Sequence, residues 1–369
     1  MKRIILAGGG HAHLIVLEHL AREALGAVEV VLVSPSRWQY YSGMLPGWIA
    51  GHYLKEDCRI DLLPLAARAG VQFVEQRLIA IAADASQITL ADGSTLDYDF
   101  LSLDIGAEAH TPWAQGLEDR LTPAKPLDQF QVAWEAMLES ARQTGALNLV
   151  TVGGGAAGVE LSLVCKTALD TAGVETGMSL VMGQNGLLHE HAPAVRRRAR
   201  RALENMCIRL IEGRAHADGG QLCLASGARL SPDRIIAATG ATAPAWLAQS
   251  GLALDENGFV MTDAHLRSIS HANVFAAGDI SSRTDVSLPR SGVHAVKAGP
   301  VLAGNLAAVC RAGSLKRYKP RKSSLYIMAS GKERAIASWG IWSAEGRLIW
   351  WWKDFIDRRF MRRFQNVGD

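Results

Sequence analysis

Two stretches of this chain run an apolar strand straight into three consecutive glycines and then into a helix, and few folds accept that order. The first is Arg3-Ile-Ile-Leu-Ala-Gly-Gly-Gly-His-Ala-His, followed by a helical stretch Leu14–Leu25 and a second apolar strand, Val28–Val33. A strand, a glycine turn, a helix and a further strand at this spacing make a βαβ unit whose helix N-terminus faces a phosphate. Gly8 makes the tight turn, and Gly10 lets backbone amides approach a pyrophosphate. Two positions depart from the pattern. His13 stands where a third glycine would allow close packing of helix on strand. Ser34 follows the second strand where an acid would bind ribose hydroxyls, and it offers a single hydroxyl in its place.

The second stretch is better formed: Asn148-Leu-Val-Thr-Val-Gly-Gly-Gly-Ala-Ala-Gly-Val-Glu. Gly153, Gly155 and Gly158 fill all three positions, and the helix continues to about Thr171. The next strand, Met178–Met182, ends in Gly183 with neither an acid nor an arginine beside it. The sequence therefore does not choose between NADH and NADPH. Two such units in one chain make two bound dinucleotides the expectation.

Composition sets the frame around these units. At 369 residues, with 49% hydrophobic and 20% charged positions, the chain is long and apolar enough for two or three packed domains. The net charge of +3 is unevenly spread. Residues 316–369 hold 13 Lys/Arg against 5 Asp/Glu, an excess of +8, so residues 1–315 carry −5. The opening residues are not read as a signal peptide, and no window is read as a bilayer span of ~20 apolar residues. The five cysteines, Cys58, Cys165, Cys207, Cys223 and Cys310, form no C-x-x-C pair and are read as small buried hydrophobes. Together these features suggest a reduced, cytoplasmic setting. The basic run Arg196–Arg201 is read as a solvated helix face, because Ala199, Leu203 and Met206 continue an apolar stripe, so no nucleic-acid partner is expected. His11 and His13, at i and i+2 on a helix start, point apart and would not share a metal, so no metal site is assigned.

Further segments carry a family resemblance. Asn273-Val-Phe-Ala-Ala-Gly-Asp is similar to the second FAD motif of the two-dinucleotide flavoprotein reductases, in which the Asp binds the ribityl chain; here that residue is Asp279. Tyr98–Ala107, with Gly106, and Ile235–Gly240 resemble the two strand–turn connections between domains in that superfamily. Within it the chain resembles the branch of type II NADH dehydrogenases and sulfide:quinone oxidoreductases. It is most similar to the FAD-dependent proteins found beside selenide, water dikinase. That likeness rests on Gly8-Gly-Gly-His-Ala-His, Tyr41-Ser-Gly-Met-Leu-Pro-Gly, Ala50-Gly-His-Tyr and Trp352-Lys-Asp-Phe-Ile-Asp-Arg-Arg-Phe-Met.

The resemblance implies an α/β fold of two Rossmann-like domains, the second inserted in the first, with a small α+β domain at the C-terminus. FAD would occupy residues 1–112 with 266–315, NAD(P)H residues 113–265, and the third domain residues 316–369. Electrons would pass from NAD(P)H through flavin to a quinone-like or other small acceptor. The alternatives are a selenium or sulfur substrate, or a flavin subunit that works only with a protein partner. His11 and the loop containing Tyr41 and Pro46 would lie along the flavin. Glu160 would stand near the nicotinamide and handle a proton or orient the ring. Leu288–Pro300 would cover the flavin pyrimidine, with Val293 and Lys297 where type II dehydrogenases carry glutamines for quinone, and Lys297 would meet reduced flavin or an anionic substrate.

Beyond the basic linker Lys316–Lys322, Leu325–Met328 and Ala335–Trp339 read as short antiparallel strands. A basic aromatic helix from Trp350 follows, with Trp352, Phe355, Ile356 and Phe360 near one face. It is read as closing the chain's own third domain or making a homodimer contact. The other reading is peripheral contact with the inner face of a membrane.

Overall fold

The computed structural model describes residues 1–321 and 323–365; Lys322, at the end of the basic linker, and residues 366–369 lie outside them. The chain opens with β1 (Lys2–Ala7), α1 (His11–Arg22), β2 (Val28–Ser34), β3 (Gln72–Glu75) and β4 (Phe100–Leu103). In β1 the run Ile4, Ile5, Leu6 and Ala7 is buried on both faces, which suits the middle of a parallel sheet. Ile5 pairs with Val31 on one side and Leu101 on the other.

The chain then leaves this sheet to build a second one. Its elements are β5 (Leu121–Pro123), α2 (Leu127–Thr144), β6 (Ala146–Val152), α3 (Ala156–Thr171), β7 (Glu175–Met182), α4 (Pro193–Asn205), β8 (Arg209–Glu212) and β9 (Arg234–Ala237). The strand order is β5-β9-β6-β7-β8, all parallel. Only afterwards does β10 (Val274–Ala276) return to the first sheet, giving it the order β10-β4-β1-β2-β3, again all parallel. The fold is thus α/β, with one parallel sheet inserted between two strands of another. In α4 the residues Val195, Ala199 and Leu203 are buried beneath an arginine-rich outer face, while Met206 lies just past the helix end.

The long helix α5 (Gly292–Cys310) lies against α1 so closely that a Cβ on Gly299 would come within 2.6 Å of Ile15. By length and hydropathy alone α5 would cross a bilayer, contrary to the expectation that no stretch of this chain would. It is a core helix: Ala295, Ala298, Leu302 and Leu306 are buried against the first sheet's layer.

The C-terminal piece is an antiparallel meander, β11 (Leu325–Ala329), β12 (Ala335–Trp339) and β13 (Trp342–Gly346), followed by α6 (Arg347–Gln365). Met328, Ala329 and Ile336 join the core beneath the second sheet. Phe360, Met361 and Phe364 join the core of the first. The piece therefore braces both Rossmann units.

Of the four apolar residues expected near one face of α6, only Phe360 is buried. Lys353 and Asp357 take the inward positions, while Trp351, Phe355 (58% exposed) and Leu348 (74% exposed) look outward, with Trp352 and Ile356 at the boundary. The reason is hydrogen bonding. Lys353 and Asp357 pair at 2.7 Å and find further polar partners beneath the helix, so burying them leaves no charge unmatched. The other boundaries differ by a few residues: α1 starts at His11 and ends at Arg22, ahead of the expected Leu14–Leu25.

His13 explains how the imperfect first fingerprint still packs. In the second unit a Cβ on Gly158 would lie 1.8 Å from the Gly153 carbonyl oxygen, so that helix must carry glycine. In the first unit His13 occupies the same register, fully buried, and fills the gap with its ring. Nδ1 lies 2.6 Å from the Gly8 carbonyl oxygen, which can only accept, so Nδ1 carries the proton. Burial holds the ring neutral by pushing its pKa down to about 4, and Nε2 then accepts from the Ser102 hydroxyl at 2.8 Å.

His13→Ala should remove about 2–4 kcal/mol of stability by opening a cavity and stranding two polar groups, measured by denaturant unfolding at pH 7.5. The pH response gives a second signature. A histidine with a depressed folded pKa costs stability as pH falls from 6.5 toward 4, because only the unfolded chain takes up the proton. The variant should lose part of that acid slope.

Candidate functional site

At both glycine corners the amides leading into the helix have no partner among the described residues. At the first, Gly8 holds φ +94°, and a Cβ there would sit 2.4 Å from the Asp104 carbonyl oxygen. The amides of Gly9, Gly10 and His11 have no hydrogen-bond partner among the described residues. Those of Ala12 and His13 are taken by the Asp104 carboxylate, at 2.7 and 3.0 Å. Asp104 is wedged in by glycines: a Cβ on Gly10 would come within 2.4 Å of Oδ2, and one on Gly278 within 2.4 Å of Oδ1. Burial raises its pKa to about 7, against the pull of those two amides.

Around this corner the expected flavin residues converge. His11, at the first turn of α1, is half-buried and neutral, its pKa pushed down to about 4 chiefly by loss of solvent around the ring. Its ring meets Tyr41 edge-on at 5.4 Å, and Tyr41 stacks on Phe360 at 4.5 Å. Asp279, in the short turn Gly278–Ile280 after β10, is ion-paired to Lys125 of the inserted domain. The N-terminus of α5 closes the other side, where Gly292 comes near His11 and Ser42. Three buried polar atoms here have no partner among the described residues: His11 Nε2, Ser291 Oγ and His294 Nδ1. Free amides and orphaned polar atoms around one cradle are what a dinucleotide with a polar ring system would satisfy.

Other expected residues behave differently. Ser34 is buried, and its hydroxyl donates to the Ser36 carbonyl. Pro46 sits in the first turn of a short helix, Leu45–Ile49, not in an open loop. Leu45 and Ile49 of that helix pack into the core of the second unit. Gly106 and Gly240 occupy equivalent turns, with open space where a side chain would point. Lys297 donates to Ser324 at 3.2 Å, and burial, with Arg321 nearby, lowers its pKa.

At the second corner Gly153 holds φ +134°, with the Ala238 carbonyl oxygen 2.2 Å from where its Cβ would be. Gly155, the N-cap of α3, has nothing within 4 Å of that point, so the helix terminus is open for a phosphate. Glu160, one turn further, does not face open solvent. Its Oε1 accepts from the Ala329 amide at 2.6 Å, which ties α3 to β11. Burial raises its pKa to about 7, although Lys353 and the Ala329 amide act in the opposite direction.

Glu160 belongs to a buried polar network that the sequence pattern did not reveal. Lys353 donates to the Gly43 carbonyl and to Asp357, whose other oxygen accepts from Tyr41 OH at 3.1 Å. Burial opposes the charge on Lys353, but Asp357 and Glu160 more than offset it, so its pKa is raised. Burial, then Asp357, raises that of Tyr41. Its hydrogen bonds join the Tyr41 loop to α6, and Glu160 of α3 couples to them through the charge of Lys353. Its signal in the sequence was a Lys and an Asp at i, i+4 inside an otherwise aromatic stretch. The five cysteines are all free, with Cys58, Cys165 and Cys223 buried.

Comparison with known proteins gives a family model. The one described as pyridine nucleotide-disulphide oxidoreductase matches residues 2–299. An NADH dehydrogenase-like protein of Mycobacterium tuberculosis is 26% identical over 304 residues, covering 76% of this chain and 73% of that protein. Among solved structures, the sulfide:quinone oxidoreductase of Aquifex aeolicus superposes with a TM-score of 0.82 at 17% identity, over 100% of this chain and 92% of that one. The NDH2 of Plasmodium falciparum, solved in complex with NADH, gives 0.79 at 14% identity, over 100% and 99%.

Replacing Lys353 with Met should leave Asp357 buried without its partner and cost on the order of 3–5 kcal/mol. Trypsin should then cut sooner within α6, at Arg358 or Arg359. The double variant Lys353→Met, Asp357→Leu should recover much of the loss, because no lone charge remains.

Proposed function

The chain belongs to the pyridine nucleotide-disulphide oxidoreductase family, and on that premise we propose that it passes electrons from NAD(P)H through FAD to a small quinone-like acceptor. The observation that carries the reading is the pair of open glycine corners, of which the first is ringed by the orphaned atoms of His11, Ser291 and His294. One structural relative was solved with NADH, and another is a sulfide:quinone oxidoreductase. Bound FAD would supply hydride acceptance from the nicotinamide and electron release to the acceptor.

The chain's own residues do the rest. The amides of Gly9, Gly10 and His11 would hold the flavin pyrophosphate, and Asp279 the ribityl chain. The N-terminus of α3, opened by Gly155, would hold the pyrophosphate of NAD(P)H. Lys297 lies on the second turn of α5, whose N-terminal dipole favours negative charge. Tyr41 and Phe360 screen the flavin cradle from water. Glu160 is the proton-holding group. A carboxyl with a pKa about 7 is half-loaded at neutral pH, where general acid–base transfer is most effective. The Ala329 amide holds its orientation, and the nearby charge of Lys353 favours its ionised form.

The outward face of α6 completes the reading. Leu348, Trp351, Trp352, Phe355 and Ile356 form an exposed apolar surface with Arg359 and Arg362 beside them, and Trp339, Ile341 (94% exposed) and Trp342 extend it from the adjacent hairpin. An aromatic and basic helix face of this kind suits the interface of an anionic bilayer, where a quinone dissolves.

The test is an anaerobic spectrum of the FAD-loaded protein titrated with NADH and then NADPH. Bleaching of the visible flavin band supports the reading. A band that neither nucleotide bleaches, but that sulfide or selenide does, would replace it with a chalcogen substrate. Glu160→Gln should lower turnover by on the order of 10²-fold and remove the limb of the pH–rate profile near 7, with FAD content unchanged. Flotation with vesicles containing anionic lipid should carry the wild-type chain upward and leave a Trp352→Glu, Phe355→Glu variant behind.

A further inference from the structure

The ion pair between Lys125 and Asp279 crosses from one Rossmann unit to the other. Lys125 follows β5, the edge strand of the inserted sheet, and precedes α2, whose first turn accepts at the Pro126 carbonyl. The Ala124 amide still bonds to Ala237, so the residue before Lys125 is held to the sheet. The lysine therefore stands on a rigid corner and not on a free loop. Its target is also fixed: Asp279 follows Gly278, which holds φ +70° and has Asp104 against its face.

The charges around this point are few. Asp104 and Asp279 are acidic, and His11 and His294 are held toward the neutral form by burial. The helix N-terminus that would meet the FAD pyrophosphate begins Gly9-Gly10-His11-Ala12 and carries no lysine or arginine. Two further cations lie nearby, each with a partner of its own: Arg290 lies over the Phe259 ring at 3.5 Å, with Asp255 also at 3.5 Å, and Lys297 donates to Ser324. Both Asp279 and the cofactor are anionic, so the first domain alone gathers negative charge at its own cradle. The positive charge that meets Asp279 comes from the inserted domain.

We propose that Lys125 serves the flavin as a cation supplied by the neighbouring domain: it anchors Asp279 beside the ribityl chain and lends positive charge to the reduced ring. Flavin affinity and flavin potential then both depend on a residue of the neighbouring domain. This rests on the FAD reading given above. A cation at this place favours anionic reduced flavin over the neutral oxidised form, and it also favours the anionic adduct that sulfite makes with oxidised flavin.

The experiment uses the full chain reconstituted with FAD, as wild type, Lys125→Met and Lys125→Arg. FAD affinity is read by fluorescence quenching, midpoint potential by equilibration with redox dyes, and sulfite affinity by bleaching of the flavin band. Lys125→Met should bind FAD and sulfite more weakly, each by roughly tenfold or more, and show a more negative midpoint. Lys125→Arg should restore most of both. Equal potentials and equal sulfite affinities in wild type and Lys125→Met overturn the inference. If Lys125→Met holds no flavin, Lys125→Arg decides: a recovered potential supports the inference, and a folded but flavin-free Arg variant overturns it. A wild-type chain that takes up no FAD fails the preceding reading itself, and is told apart because there is then no flavin potential to compare.

Discussion

A helix can begin within van der Waals reach of the strand before it only when almost nothing stands between them. Both nucleotide corners here are built on that limit. At Gly153 and Gly158 the limit is met with bare backbone, since a Cβ at either place would overlap a carbonyl oxygen. At the first corner it is met partly with glycine and partly with a ring. Gly8 and Gly10 clear room for Asp104, and His13 spans the remaining gap between Gly8 and Ser102. The two units thus reach the same strand–turn–helix geometry by different chemistry. Once α1 and α3 are set this close, their N-terminal amides are exposed at the mouths of the two sheets, where a pyrophosphate can reach them.

The third segment depends on a different interaction. An amphipathic helix normally buries its apolar stripe, and α6 does so only at its C-terminal end, through Phe360, Met361 and Phe364. Nearer its start the inward positions belong to Lys353 and Asp357. That choice is stable because the ammonium and the carboxylate each find a second partner, in the Gly43 carbonyl and Tyr41 OH. The same pair puts Glu160 under the influence of the C-terminal segment. The meander is thereby tied to α3 through the Ala329 amide, and the Tyr41 loop to α6 through Lys353 and Asp357.

The parallel sheets, the two corners, α5 and the first two strands of the meander were legible in the sequence, because each is written in local spacing. Glycine requirements, apolar runs and strand–turn–helix order lie within some tens of residues of one another. What stayed hidden is non-local. His13 looked like a defect because the partner that gives its ring a purpose, Ser102, is 89 positions away. Lys125 drew no notice, since its counterpart Asp279 belongs to the other unit. The face that α6 buries was not legible, because periodicity shows where the apolar residues lie, not which side finds hydrogen-bond partners. Glu160 was placed correctly on α3, but its bond to the Ala329 amide depends on a strand whose docking no local pattern encodes.

The outward aromatic face of α6 also bears on how an acceptor would arrive. A sparingly soluble acceptor is scarce in water and abundant in lipid, so a freely diffusing enzyme would starve in the presence of its substrate. A chain that rests on the bilayer through Trp351, Phe355 and Leu348 would sample the lipid's concentration instead. Its search would run in two dimensions, and its apparent affinity would be set by lipid composition as much as by the protein's own cradle.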